Sequence, residues 1–246
     1  MKKAPKVRLF INQNLAAGAT VVPETAQVHY LTNVLRLTNG DEIYAFDGKS
    51  GEYACRLNFI GKKNCVLNVG EKIRDFYACP DIWLLFAPVK KDKTDFIIEK
   101  ATELGAAGII PVLTERTISE RIKKERYLAQ SIEASEQCRR LDIPCTSDMV
   151  PLEKVLKNWD KERILYFMDE SGQGGNICEV LQKEGGKKAA FLVGPEGGFS
   201  PKETDLIRSF AFTRPISLGK RILRAETAVA AALSCWQALC GDWNLK

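Results

Sequence analysis

The strongest constraint on what this chain can fold into is a change of hydrophobic period near Pro80. Beyond it, short apolar runs recur: Ile82-Trp83-Leu84-Leu85-Phe86, Ile109-Ile110-Pro111-Val112-Leu113, Ile164-Leu165-Tyr166-Phe167-Met168 and Ala189-Ala190-Phe191-Leu192-Val193, with a last one near Pro215-Ile216-Ser217-Leu218. Unbroken apolar runs of this length predict strands buried on both faces. Helical spacing follows them at 92–104, 123–138, around 177–183, from Pro201 and through Trp236, and Gly105 is a good stop for the first of these helices. Such β/α alternation predicts an α/β domain, an open and mainly parallel sheet with helices on both faces.

The first 75 residues follow a different rule. Strand-like segments at 6–10, 41–46, 52–57 and 65–69 are separated by the turn signals Asn39-Gly40, Asp47-Gly48 and Gly61-Lys62-Lys63-Asn64, with one short helix at 25–31. Short strands at this spacing suggest a small barrel or half-barrel. Two domains are therefore expected, 1–75 and 76–246. The net charge of the chain is +5, and +4 of it falls in the first 75 residues. A small basic module beside a nearly neutral larger one suits a polyanionic partner.

Several chemistries are excluded early. There is one histidine, His29, so a His-rich metal site is ruled out and no metal is expected. The eight cysteines never form a C-x-x-C pair, and their irregular spacing reads as small buried residues in a reducing compartment. No apolar run approaches the roughly 20 residues of a membrane span, and the basic N-terminus lacks the apolar stretch of a signal peptide. The expected compartment is the cytoplasm, with no membrane partner.

In open α/β sheets ligands bind beyond the carboxyl ends of the strands. The richest such loop is Gly194-Pro195-Glu196-Gly197-Gly198-Phe199-Ser200. It is neither a Walker A nor a dinucleotide fingerprint, and Glu196 would repel a phosphate. Ser200, Pro201 and Glu203 predict a capped helix start directly after it. The second feature is Leu218-Gly219-Lys220-Arg221-Ile222-Leu223-Arg224-Ala225-Glu226, which opens a helix rich in small residues. Arginines at a helix N-terminus oppose the dipole, so a bound anion or Glu226 would compensate them. The Lys90–Lys93 loop and Arg139-Arg140 at a helix end read more simply as a solvated face and as C-terminal capping.

These motifs carry a resemblance. GPEGGFS followed by LGKRILRAETA, together with HYLTNVLRLTNGDEIYAFDG, KKDKTDFIIEKATELG and EASEQCRRLDIP in the same order, resembles the RsmE family. Its members are 16S ribosomal RNA uridine-N3 methyltransferases of the SPOUT superfamily. The resemblance spans nearly the whole chain, and Ala106-Ala107 is a small departure from it. It implies an N-terminal PUA-like β-barrel that binds RNA and a SPOUT-type α/β domain with a C-terminal trefoil knot. It further implies S-adenosyl-L-methionine as cofactor, 16S rRNA in the small ribosomal subunit as partner, and a homodimer.

By residue-level match, the cofactor loops would comprise Glu170, then Val193, Gly194, Gly197 and Gly198, then Leu218, Gly219, Ile222 and Leu223. Arg221 and Arg224 are the candidates for stabilising the uracil anion, with Glu196 or Glu226 as proton acceptor or as partners of those arginines. Solvent is an equal alternative as acceptor, because no histidine lies in these loops. Arg8, His29, Arg36 and Lys93 are the candidate RNA contacts. A ribose 2′-O-methyltransferase and a non-catalytic RNA-binding factor of the same fold are the competing readings.

Overall fold

The computed structural model describes residues 7–60, 64–118, 123–184 and 188–244. Lys6, expected to open the first strand, and the turn at 61–63 lie outside the described residues. The chain divides into two compact units, one comprising the residues to Ala78 together with Ser135–Ile143, the other the remainder.

In the N-terminal unit β1 (Arg8–Phe10) and β2 (Thr20–Val21) precede α1 (Thr25–His29), which runs on as a wider π-type turn to Val34. Then come β3 (Glu42–Phe46), β4 (Glu52–Ile60) and β5 (Asn64–Arg74). The sheet order is β1-β3-β4-β5-β2, with β1 parallel to β3 and the other pairs antiparallel. Alternation along the strands separates two faces. Leu9, Ile43, Ala45, Tyr53, Cys55, Leu57 and Leu67 close one core with Val28 and Leu31. The opposite face carries Arg8, Tyr44, Phe46, Glu52 and Arg74, paired across the strands as Arg8 with Tyr44 and Glu52 with Arg74.

The second unit opens with β6 (Ile82–Phe86), α2 (Lys91–Glu103) and β7 (Gly108–Leu113). Helix α3 (Lys124–Cys138), β8 (Cys145–Thr146), β9 (Val150–Pro151) and α4 (Leu152–Lys157) follow. Next are β10 (Ile164–Met168), β11 (Gly175–Asn176), α5 (Ile177–Glu184) and β12 (Ala189–Val193). The chain closes with α6 (Pro201–Arg208), β13 (Thr213–Ser217) and α7 (Ala225–Leu239). The strands form one parallel sheet in the order β11-β13-β10-β12-β6-β7-β8, with β9 also paired to β7. The apolar runs alternate between two cores, as strands covered on both faces must. Leu84, Phe86, Tyr166 and Phe191 pack with Val229, Leu233 and Trp236 of α7. Leu85, Leu165, Phe167 and Leu192 pack instead with Leu152 and Leu156 of α4 and Ile207 of α6.

The structure corrects two expectations in part. Arg139 ends α3 through its left-handed backbone at φ 64°, while Arg140 is instead buried in an ion pair with Asp142. The eight cysteines are free thiols, yet only Cys55 and Cys65 are buried, while Cys138, Cys145 and Cys178 are exposed. Irregular spacing carries no information about burial. The short pieces β2, β8, β9 and β11 escaped the sequence reading because two residues have no period to detect, and α4 because its six residues make fewer than two helical turns.

Candidate functional site

Strand order assembles the site. β10 lies between β12 and β13, so the loops leaving the carboxyl ends of these three parallel strands emerge side by side. Together with the loops after β6 and β7 they line a cleft of about 790 Å³. That is a volume suited to a nucleoside-sized ligand. The lining brings together Glu170 from the first loop, Val193, Gly194, Glu196, Gly197 and Gly198 from the second, and Ile222, Leu223 and Arg224 from the third. Lys93, at the start of α2, reaches the same cleft.

The middle loop is shaped by its glycines. Gly198 adopts φ 67°, and a Cβ there would sit 3.1 Å from a Glu170 carboxylate oxygen. A Cβ on Gly194 would press on the Phe199 ring at 3.1 Å. Beyond the loop, the Ser200 hydroxyl accepts from the Glu203 N–H, and the Glu203 carboxylate accepts from the Ser200 N–H at 2.9 Å. The second oxygen of Glu203 accepts from the Glu115 N–H at 2.9 Å, which ties the loop after β7 to this helix start. Arg116 then donates to the Gly197 carbonyl at 2.7 Å. The first loop is held by Asp169, whose side chain is nearly buried and accepts from Ser171 N–H and Arg208 Nη2. Burial pushes this carboxyl up, but the Ser171 hydroxyl and N–H with Arg208 outweigh it and hold it below its ordinary value.

The charged groups form a chain. Lys93 Nζ stands 2.5 Å from Glu196 Oε1 and 3.9 Å from Glu226 Oε1. The Lys93 hydrogen bond holds the Glu196 carboxyl below its ordinary value, with Lys90 and Arg224 adding smaller attractions. Glu196 is thus a committed anion and a weak proton acceptor. Glu226 sits in the first turn of α7 behind the lining, and its Oε2 is buried without a hydrogen-bond partner among the described residues. Arg224 is the N-cap of that helix and is exposed.

Other expected residues lie apart from the cleft wall. Leu218 packs on the core beneath it. Gly219 turns at φ 103° with open space around it, and Arg221 is exposed outside the lining. His29 and Arg36 are exposed in the N-terminal unit. Arg8 is not a free surface cation. Its guanidinium bonds Glu52 and the carbonyls of Ser135, Glu136 and Arg140, and it lies over the Phe46 ring at 4.6 Å. Four of its five N–H donors are engaged in holding that unit together.

Sequence reasoning missed Arg116, Asp169, Phe199 and Lys90 in the cleft. The rule of searching the loop after every buried strand would have reached Arg116, which follows β7. Among the described residues no group of histidine, cysteine or acidic side chains is placed to hold a metal ion.

The glycine loop, the apolar wall of Val193, Leu223 and Ala228, and the Glu170 carboxylate fit an adenosine-bearing cofactor: backbone polar groups, an apolar slot and an acceptor for ribose hydroxyls. Comparison with known proteins points the same way. Residues 78–237 match a family model described as an RNA methyltransferase domain, and residues 22–70 match an RNA methyltransferase PUA domain. Ribosomal RNA small subunit methyltransferase E of Rickettsia conorii is 33% identical, covering 92% of this chain and 93% of the relative. The protein of the same name from Bacillus subtilis is 30% identical over 85% of this chain and 86% of its own. The crystal structure of ribosomal RNA small subunit methyltransferase E from Neisseria gonorrhoeae, bound to S-adenosyl methionine, superposes with a TM-score of 0.87 at 30% identity. It covers 97% of this chain and 99% of that one.

Proposed function

The chain belongs to the ribosomal RNA small subunit methyltransferase E family, and on that premise we propose that it methylates N3 of a uridine in 16S rRNA, in the decoding region of the small subunit. The enzyme is a methyltransferase dependent on S-adenosylmethionine. The observation that carries the reading is the convergence of the loops after β10, β12 and β13 on one cleft with Arg224 and Lys93 in its lining and Glu226 behind them.

When bound, S-adenosylmethionine supplies an electrophilic methyl group. Val193, Gly194, Gly197, Gly198, Leu223 and Glu170 would hold it, with Ile222, which is 83% exposed, in the same lining. Uridine N3 carries an imide proton that must leave before or during methyl transfer, and the base must be unpaired to present it. Arg224, exposed at the mouth, donates to a uracil oxygen and favours the N3 anion. Arg221 is free to meet the RNA backbone beside it. Lys93 adds positive potential while Glu196 holds its ammonium in place. Glu226 Oε2 is the proton acceptor, since Glu196 is tied to Lys93.

His29 and Arg36 approach the RNA from the PUA unit. Two chains associate through the outward side of α7, where Ala230, Ala231 and Ser234 leave room for close packing. β13 lies on the far side of β10 from β12, a strand order that supports the knotted C-terminal crossover of the family. No helix among the described residues is long and apolar enough to cross a membrane, and the proposed ribosomal substrate supports action in the cytoplasm.

The deciding experiment incubates the protein and cofactor with small subunits from cells lacking this modification, followed by nucleoside mass spectrometry. 3-Methyluridine is the expected product. A ribose-methylated nucleoside would keep the cofactor site and overturn the N3 assignment.

A further inference from the structure

A second cleft, of about 730 Å³, opens within the N-terminal unit on the face of its sheet opposite the apolar core. Its lining comes from four adjacent strands and from the end of α3: Tyr44, Glu52 and Arg74 on the sheet, Gln137 in the last helical turn, Arg139 directly after it, and Tyr30 beyond α1. We propose that this cleft takes an unpaired RNA nucleotide other than the one that is methylated, its base against Tyr30 and Tyr44 and its phosphate at Arg74 and Arg139. The proposal rests on the RNA methyltransferase reading above and extends it to a second contact.

Three independent observations lead there. First, the aromatic side chains are available: Tyr30 is 38% exposed although aromatic, and Tyr44 is half-buried on a sheet face where Phe46 is fully buried under Arg8. Flat aromatic surface beside a cationic groove is the chemistry that binds single-stranded bases without regard to sequence. Second, the floor is built and charged. Glu52 is 3% exposed at its side chain and is clamped by Arg8 on one oxygen and by Arg74 on the other, at 2.7 Å for Arg74. Two guanidinium groups share this one buried carboxylate, and the exposed Arg139 adds a further positive charge at the rim. Glu136 is a second carboxylate in the lining, so three arginines face two acids, and the remaining positive charge favours a phosphate, since Arg matches phosphate geometry with two parallel donors.

Third, the backbone is unusual at this cleft. Among the described residues only Arg36 and Arg139 are non-glycine residues with positive φ, at 56° and 64°. Arg139 lines the cleft, and Arg36 follows Leu35, which also lines it. Each arginine follows a helical segment, where a left-handed residue ends the helix, and the one after α3 leaves the Arg139 side chain exposed at this opening. Gln137, exposed at the rim, supplies a donor and an acceptor that would suit the polar edge of any base.

The test crosslinks the full-length protein to small ribosomal subunits by ultraviolet light and maps the nucleotide-bearing peptides by mass spectrometry. In parallel, methyl transfer is measured for Tyr30→Ser, with Arg139→Asn as a second variant because asparagine tolerates the left-handed backbone. Crosslinks on the peptides holding Tyr30 or Tyr44, and a KM for the subunit raised about tenfold with kcat and cofactor affinity unchanged, are the expected results. Crosslinks confined to the cofactor cleft, or to a ribosomal protein at these tyrosines, overturn the proposal, as does an unchanged KM in both variants. Crosslinked tyrosines in a protein that methylates nothing would leave this site standing and defeat the functional reading instead.

Discussion

Arg224 and Glu226 stand two positions apart, yet they meet different surroundings. Arg224 caps α7 from solvent, while Glu226 turns inward toward Lys93. In the proposed mechanism the first meets the substrate and the second receives its proton. Replacing Arg224 with alanine removes one donor aimed at developing charge, which elsewhere costs on the order of 10²-fold in kcat. The expected result for Arg224→Ala is a loss of that size in single-turnover methylation, with the calorimetric Kd for S-adenosylmethionine unchanged. Unchanged turnover would remove Arg224 from the reaction. The motif offered Arg224 for the anion and left the acceptor open between Glu196, Glu226 and solvent; the ion pairs around Lys93 were not legible in it. Lys93 is more than 100 positions from both acids, and no local spacing reports a contact of that kind.

Asp47 works on the same scale in the other unit. Its nearly buried carboxylate accepts from the N–H groups of Leu15, Lys49 and Ser50 and from the Ser50 hydroxyl. Burial pushes the carboxyl up, and these bonds, led by the Ser50 hydroxyl, more than reverse it, so that it lies below 3.8. A carboxyl lowered on folding stabilises the native state fully above its unfolded pKa, and loses that contribution as pH falls through the folded value. The wild type should therefore lose more stability than Asp47→Asn between about pH 4 and pH 2, read from urea midpoints across that range. Parallel pH curves for the two proteins would show that the carboxylate bonds contribute nothing.

At the scale of elements, the start of α6 shows sequence and structure in agreement. Ser200, Pro201 and Glu203 announce a capped helix from their spacing alone, and the structure contains both reciprocal bonds. What the motif did not reveal is the second duty of Glu203, the bond from the Glu115 N–H that anchors the loop carrying Arg116. Glu203→Ala would leave the buried Ser200 N–H and the part-buried Glu115 N–H without their acceptor, a loss of about 1–3 kcal/mol. For a chain of this size each kcal/mol lowers the midpoint by about 2–4 °C. Differential scanning calorimetry should show that fall. A melting point within a degree of wild type would mean water replaces the carboxylate without cost.

The boundaries of the long strands were also well read. β6, β10 and β12 begin and end where their apolar runs do, because a strand covered on both faces excludes polar residues along its whole length. The half-covered β5 extends to Arg74, past the apolar core of its run, since its second face carries charge.

On the scale of the whole molecule, each unit has its own core, and the cofactor cleft is lined wholly by residues of the second. Glu52→Ala would leave Arg8 and Arg74 facing each other without their shared carboxylate. Breaking a largely buried pair costs about 3 kcal/mol at the lower end of the usual range, which suits an Arg74 that is a third exposed. The expected outcome is a destabilised N-terminal unit, seen by hydrogen exchange at β3–β5, with the S-adenosylmethionine Kd unaltered. Loss of cofactor affinity would show that the second unit depends on the first.

Amino-acid order alone determined the period of every long element, the change of fold type near Pro80, and the loops in which chemistry had to lie. Those properties follow from local spacing: which residues face a core, where a glycine permits a turn, where a cap begins a helix. Only the tertiary structure decided that β13 returns to the side of β10 away from β12, which gathers three distant loops into one cleft. It also decided that Arg8 is a buried strut rather than a free cation, and that Lys93 stands between two acids. Strand order and long-range ion pairs depend on which surfaces meet after the chain has folded, and nothing in the neighbouring sequence records those meetings.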